Sequence, residues 1–522
     1  MAQDMMQVVL ISPYSQVQCI GLRILSACLK RAGFGTRMIF LPDLRELMAA
    51  TDYGVRRLAP AALAQVVELC ADAELVGISV MTSSFFLARQ LTEALHTSLS
   101  VPIIWGGIHP TIRPEECLQY ADLVCVGEGE QTIVELAQRI TEGRDYGGIN
   151  NLARLVVERH MVINPLHPLV QNLDALSFPD YDLAQHYVLH KQRLVSFTQA
   201  LMNYYLTDVG SWIDGPRYDV IATRGCPYRC TYCANDAMAR IYPKWGRLRR
   251  RSPENVIAEI QAVRARLPGL TGITIHDDTF LANSEPYIAE FSQRYRAQVG
   301  LPFRVYATPD AVDSAKLQHL VNAGLREAMM GIQTGSPRIQ KLYRRHASNE
   351  QIIRAARLIH SFQHDSPRPR YDLITDNPYE TDDDRFETLQ LIHRLPPPYR
   401  LSLYSLTFYP GTELYDRAKT DGLIEDEKRS VYARNFNKIA ANYYNLALMC
   451  HGWNLPRPLL YLLTRRPVFQ LLSCRPMNKI CGWLLNGLLA LRLRRNRRQY
   501  AKYEAQFLAE QQIGAGDRRD WK

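Results

Sequence analysis

The chain has 522 residues, 47% of them hydrophobic and 22% charged, which excludes wholesale disorder and asks for two or three domains rather than one core. Its formal net charge is +10, with arginines dense in "GRLRRRSPEN" (247–256) and "LRLRRNRRQYAK" (491–502). No nucleic-acid module surrounds either run, so both are read as solvated faces and nucleic acid is not an expected partner.

In chain order, "QVVLISP" reads as a β-strand rather than an export signal, because an acidic residue stands where a signal peptide is basic and the apolar run is short. Without export the 11 cysteines stay reduced, and a cytoplasmic location is expected. "GLRILSACLKRAGF" follows as a helix with an apolar stripe, and strand-like runs recur at "TRMIFLP", "LVGISVM", "VPIIWGG" and "DLVCVGEGE". Strands alternating with helices predict a parallel sheet covered on both faces. Gly, Ser or Thr recur at four strand ends (Ser12, Ser79 with Thr82, Gly106–Gly107, Gly127–Glu128–Gly129), where such a sheet binds ligands.

The alternation breaks over 146–215, where "NLARLVVERHMVINPLHPLV" predicts a hairpin and "DALSFPDYDL" a proline-marked linker. It resumes at "YDVIATRG" with five further strand candidates, "GITIHDD", "FRVYAT", "EAMMGIQTG", "RYDLITD" and "RLSLYSLTFYP". Six strands in this series predict a β/α barrel or partial barrel, with chemistry at the C-terminal strand ends. Beyond about residue 430 the chain reads as helices. There "ICGWLLNGLLAL" (480–491) is too short to span a bilayer but leads into arginines, as a helix lying on an anionic membrane surface would. The expected units are therefore 1–145, a hairpin and linker at 146–215, 216–430, and a helical basic region at 431–522.

Cys226, Cys230 and Cys233 fall within eight positions of "ATRGCPYRCTYCAND" (221–235), just after the first strand of the second series. Disulfides use pairs and structural zinc takes four ligands, and no second CxxC or histidine pair stands nearby. Three thiolates also suit a [4Fe–4S] cluster with one iron left open to another ligand. Spacing favours the cluster over zinc.

This C-x3-C-x2-C run, with Tyr232 before its last cysteine, resembles the radical S-adenosylmethionine (SAM) enzymes, in which the open iron chelates SAM. Downstream segments resemble that family in order: "HDDTF" (276–280), "GIQTGS" (331–336), "DLITDNPYET" (372–381) against the pattern DxIxGxPGET, and "YPGTELYDRA" (409–418). The resemblance implies SAM contacts from Tyr232, Asp277, Asp278, Gln333, Thr334, Gly335, Ser336 and Asp376. Gln333 stands where many members have glutamate, and Asp376 and Tyr379 stand where the pattern has glycine.

The first series, through "GGIHPTIRPEE" and "VCVGEGE", is similar to the N-terminal domain of the cobalamin-binding radical SAM enzymes, so the resemblance runs from about residue 5 to 425. It implies an α/β fold: a Rossmann-like cobalamin-binding domain (1–145), a partial β/α (TIM-like) radical SAM barrel (216–430) and the C-terminal helical region. Cobalamin contacts are expected from Ser12, Gln18, Ser79, Thr82, Gly106, Gly107, Gly127, Glu128 and Gly129. Many corrinoid proteins carry D-x-H-x-x-G after the first strand, its histidine on cobalt. Here "QVQCIG" (16–21) puts Gln16 and Gln18 at those places and keeps Gly21, so no protein imidazole is expected on cobalt. His109 is read as a packed or hydrogen-bonding histidine.

By resemblance, the leading function is a cobalamin-dependent radical SAM methyltransferase. It would use a 5′-deoxyadenosyl radical and methylcobalamin to methylate an unactivated carbon of a small-molecule or lipid substrate, with an external one-electron reductant. Oxidative cyclisation or rearrangement with the same cofactors is the alternative. A non-catalytic corrinoid or iron–sulfur sensor is a third reading, which the intact cysteine triad argues against. Tyr379 and Tyr409 are candidates for a substrate site.

Overall fold

The structure, a computed structural model, describes residues 6–43, 56–156, 160–207, 213–362 and 369–516. Apolar runs such as Gln7–Ser12 and Leu75–Ser79 are buried on both faces because helices cover both sides of the sheet they form. That sheet runs β7-β6-β5-β4-β3-β1-β2-β8-β9. Its central strands are β1 (Gln7–Ser12), β2 (Gly35–Phe40), β3 (Leu75–Ser79), β4 (Ile103–Gly106) and β5 (Leu123–Cys125), all parallel. The chain leaves β1 for β2 on one side and then crosses to β3 on the other. The crevice between β1 and β3 is therefore a topological switch point, where open parallel sheets bind ligands.

Residues expected as hairpin and linker extend this sheet at both edges. β6 (Leu152–Leu155) and β7 (Met161–Ile163) form the antiparallel hairpin, and β8 (Tyr187–His190) and β9 (Arg193–Ser196) extend the other edge.

The second sheet takes its strands in chain order, with helices between successive strands: β10 (Arg217–Val220), β13 (Gly272–Ile275), β14 (Phe303–Ala307), β15 (Leu325–Gln333), β16 (Arg370–Thr375) and β17 (Arg400–Ser405). All five pairings are parallel, which is the topology of a partial barrel. A two-stranded antiparallel ribbon, β11 (Thr223–Arg224) with β12 (Arg249–Arg250), brackets the cysteine run. Ser252 caps the next helix by accepting from the Asn255 N–H, with Pro253 in its first turn, as its sequence requires.

The arginine run at 247–256 departs from its expected solvated face. Arg249 on β12 is largely buried in an ion pair with Glu128 at the end of β5 (2.8 Å), and Arg251 in one with Glu259 on the helix Pro253–Arg266 (2.7 Å). Four helices, Tyr443–Gly452, Arg457–Leu463, Arg466–Ser473 and Arg475–Gly516, complete the described C-terminal region.

Candidate active site

The cysteine loop is built from its glycine outward. Gly225 has φ +91°, and a Cβ there would lie 2.5 Å from the Trp245 carbonyl oxygen, so only glycine lets the chain turn into Cys226. Thr231 donates its N–H and hydroxyl to the carbonyls of Tyr343 and Leu342, anchoring the loop to the segment beyond β15. Tyr232 packs edge-on against Tyr343. Burial pushes the Cys226 and Cys233 thiols up to about 12, so they ionise only beside a cation.

Among the described residues, no three His, Cys, Asp or Glu side chains are arranged to hold a single metal ion. The thiols of Cys226, Cys230 and Cys233 stand free on one loop, the first two buried and the third half-buried. They fit a polynuclear cluster, in which each thiolate takes a different iron. Arg345 reaches the Cys230 sulfur from Nη1 (3.7 Å), and Asn235 reaches the Cys233 sulfur from Nδ2 (3.7 Å). Such donors stabilise negative charge on cluster ligands. Sequence reasoning missed both. Asn235 lay two residues from Cys233, but Arg345 is 115 residues from Cys230 and no spacing signals it.

The residues expected around SAM divide in two. Asp278 and Cys233 line a cavity, where Asp278 is exposed by area; desolvation by the surrounding walls raises its carboxyl pKa, and a hydrogen bond from Asn235 opposes the rise. Asp277 turns away: it accepts from the N–H groups of Ala222 (2.7 Å) and Thr223 (3.1 Å) and from the Thr223 hydroxyl (2.9 Å), and so holds the end of β10. Thr334 and Ser336 are buried against the helix Asp382–Arg394, the first on Thr388 and the second donating to Asp384 (2.6 Å). A Cβ on Gly335 would lie 2.7 Å from the Thr388 Cα, so this close packing explains that glycine. Gln333 ends β15 at φ +70°, and Asp376 follows β16 at φ +58°, tied to Ala440 and Asn445. In this structure Asp277, Thr334, Gly335, Ser336 and Asp376 organise the backbone around the site.

The cavity encloses about 520 Å³, within the range of cofactor pockets. Its walls come from the first sheet and from the loops and helices that follow β10 and β13. Ser79, Gly106, Gly107, Gly127, Glu128 and Gly129 stand at the carboxyl ends of β3, β4 and β5, and Cys233, Asn235 and Asp278 face them. Gly21 also borders it, and a Cβ there would meet nothing within 4 Å. A glycine-walled crevice of mostly apolar lining fits a broad, flat macrocycle. Gly127 has φ +95°, and its Cβ would overlap the Tyr242 hydroxyl at 1.9 Å.

Three residues expected to contact cobalamin do not border this space. Ser12 bonds Cys19 (2.8 Å), and Thr82 bonds the His109 Nδ1 (3.1 Å). Gln18 donates to the Arg217 carbonyl and accepts from the Asp219 N–H, joining the first sheet to β10. His109 is buried among Phe85 and Tyr432, and burial lowers its pKa to about 3, which agrees with a packed histidine. The two tyrosines also separate: Tyr379 bonds Asp421 on a surface pocket with Arg338 and Arg417, while Tyr409 is half-buried nearer Cys233.

Comparison with known proteins agrees with this two-sheet arrangement. Residues 220–392 match the Radical SAM superfamily, and residues 6–137 match the B12 binding domain. An uncharacterized methyltransferase of Pyrococcus horikoshii is 27% identical over 360 residues, 68% of this chain and 71% of that protein. The anaerobic magnesium-protoporphyrin IX monomethyl ester cyclase of Rubrivivax gelatinosus is 24% identical over 303 residues, 55% of this chain but only 48% of that protein. The fold matches that of the radical SAM methyltransferase TsrM of Kitasatospora setae, solved with cobalamin and a [4Fe-4S] cluster, at TM-score 0.62 and 20% identity over 80% of this chain and 78% of that one. With a B12 binding domain joined to a radical SAM domain across one shared cavity, the chain belongs to the cobalamin-binding radical SAM enzyme family.

Proposed function

We propose that this cobalamin-dependent radical SAM enzyme is a methyltransferase acting on an unactivated carbon of a small-molecule substrate. One observation carries the reading: Cys233, Asn235 and Asp278 border the same cavity as the glycine-rich strand ends of the B12 binding domain. Groups held on the two sides would face each other across one space, as methyl delivery requires. The likeness to a Pyrococcus horikoshii methyltransferase favours the same chemistry.

In this proposal Cys226, Cys230 and Cys233 hold the cluster. Bound there, the cluster and SAM supply one-electron cleavage of a sulfonium C–S bond, and cobalamin supplies a methyl carrier. The protein's own part is to position and to exclude water. Arg345 and Asn235 donate toward the cysteine sulfurs, Asp278 offers a carboxylate to an ammonium group, and Gly21 leaves its part of the cobalamin side open. An external reductant supplies the electron.

Anaerobic reconstitution followed by turnover with methyl-labelled SAM and candidate substrates tests this. The expected result is S-adenosylhomocysteine together with 5′-deoxyadenosine and a labelled product. The likeness to a ring-forming cyclase favours a second reading, oxidative cyclisation without methyl transfer. Turnover giving 5′-deoxyadenosine, an unlabelled product and no S-adenosylhomocysteine would move the assignment there.

A further inference from the structure

The C-terminal helices carry apolar surface that the cavity chemistry does not use. Trp483 is 75% exposed, Leu471 62% and Leu491 60%, with Tyr461, Ile480 and Leu484 also open to solvent. Large apolar side chains exposed together on helices that pack against one another mark an interaction site.

The geometry of the helix Arg475–Gly516 explains why these side chains point outward. Its inward face is seated on the body: Cys481 and Leu485 are buried, and a Cβ on Gly482 would lie 2.4 Å from the Ala441 carbonyl oxygen. At 3.6 residues per turn, that seating turns Ile480, Trp483, Leu484, Leu488 and Leu491 onto a second face, away from the core. Arg494, Arg495 and Arg498 continue the same face, so an apolar stripe runs directly into guanidinium groups over about 27 Å from residue 480 to 498.

Charge decides what covers it. Residues 428–503 contain 15 Lys and Arg and no Asp or Glu, so this segment alone exceeds the chain's net charge of +10. A second copy of the chain would bring the same basic face against itself. Among the described residues, no helix is long and apolar enough to cross a membrane. Exposed Trp and Leu merging into arginines is the composition of a helix that lies in the headgroup region of an anionic bilayer.

We propose that the exposed face of the helices Arg457–Leu463, Arg466–Ser473 and Arg475–Gly516 docks on anionic phospholipid membranes. This surface stands apart from the cavity, and the inference does not rest on the methyl-transfer reading.

Flotation of the full chain with vesicles of phosphatidylcholine, alone or with added phosphatidylglycerol, tests it. Binding is expected only with the anionic lipid and is expected to weaken as salt rises. Two double variants, Trp483→Ser/Leu491→Ser and Arg494→Glu/Arg498→Glu, change solvent-exposed side chains. Each is expected to keep the wild-type melting temperature and to lose binding by about tenfold or more. No flotation, equal flotation on neutral vesicles, or unchanged binding by both variants overturns the proposal. A concentration-dependent dimer that W483S/L491S abolishes, without vesicle binding, overturns it in favour of a second copy.

Discussion

At the scale of single residues, two positions convert geometry into measurable consequences. Gly127 sits at φ +95° with its α-hydrogen side against the Tyr242 hydroxyl, where a methyl group would overlap at 1.9 Å. Gly127→Ala therefore combines backbone strain with overpacking, and a loss of at least about 2 kcal/mol is expected, together with reduced corrinoid retention. Thermal unfolding and corrinoid content of the purified variant check this; a wild-type melting temperature would mean the close approach does not exist. Glu380 is the second. Burial pushes its carboxyl from an ordinary 4.5 to about 8, against the lowering influence of Arg385. A carboxyl raised on folding holds its proton more tightly in the folded state. Its contribution is thus fully present below about pH 4.5 and is lost as pH rises through 8. Wild-type stability is expected to fall over that window by on the order of a few kcal/mol, and Glu380→Gln to flatten the fall. Parallel melting profiles of the two proteins from pH 5 to 9 would refute the assignment.

At the scale of elements, the strands were legible because buried parallel strands are short apolar runs, and all the runs from "QVVLISP" to "RLSLYSLTFYP" form strands. Which side chain faces the cavity was less legible. Asp277 and Asp278 are neighbours in "HDDTF", yet one holds backbone N–H groups and the other borders the cavity, a choice set by the local turn after β13. Partners distant in the chain, such as Arg345 for Cys230, leave no local pattern at all. Asp376 shows how a departure from a family pattern becomes intelligible only in three dimensions. It keeps the left-handed backbone (φ +58°) that the pattern's glycine would adopt, which Asp tolerates better than most residues. Its carboxylate then accepts from the Ala440 N–H (2.8 Å) and the Asn445 amide (2.9 Å), tying the end of β16 to the C-terminal helices. Asp376→Gly is expected to keep the turn but lose the tie, at about 1–3 kcal/mol, and Asp376→Ala to add about 1 kcal/mol of strain. Equal stability of the two variants, measured by urea unfolding, would remove the conformational half of that argument.

At the scale of the whole molecule, the cavity exists only while the two sheets hold their relative position, and Glu128 is central to that. It leaves the end of β5 and meets guanidinium groups from both strands of the ribbon that brackets the cysteine loop, Arg224 (3.2 Å) and Arg249 (2.8 Å), while also accepting from the Val170 N–H (2.8 Å). Arg224 keeps a second partner in Glu130 (2.6 Å), but Glu128 is the carboxylate paired with the largely buried Arg249. Removing one member of a buried ion pair costs roughly 3–5 kcal/mol, mostly because the remaining charge is left uncompensated. Glu128→Ala should therefore loosen the junction between the B12 binding domain and the cysteine loop without touching a cysteine. The expected outcome is an enzyme that binds close to wild-type iron and sulfide after reconstitution but retains much less corrinoid. Changing both partners, as in Glu128→Gln with Arg249→Met, removes the stranded charge and should recover part of the stability. Equal loss of iron and corrinoid in Glu128→Ala would instead mean that the contact supports the fold as a whole. The distinction matters for the proposed reaction, because methyl delivery between two separately held groups depends on the registry of the two sheets more than on any one ligand.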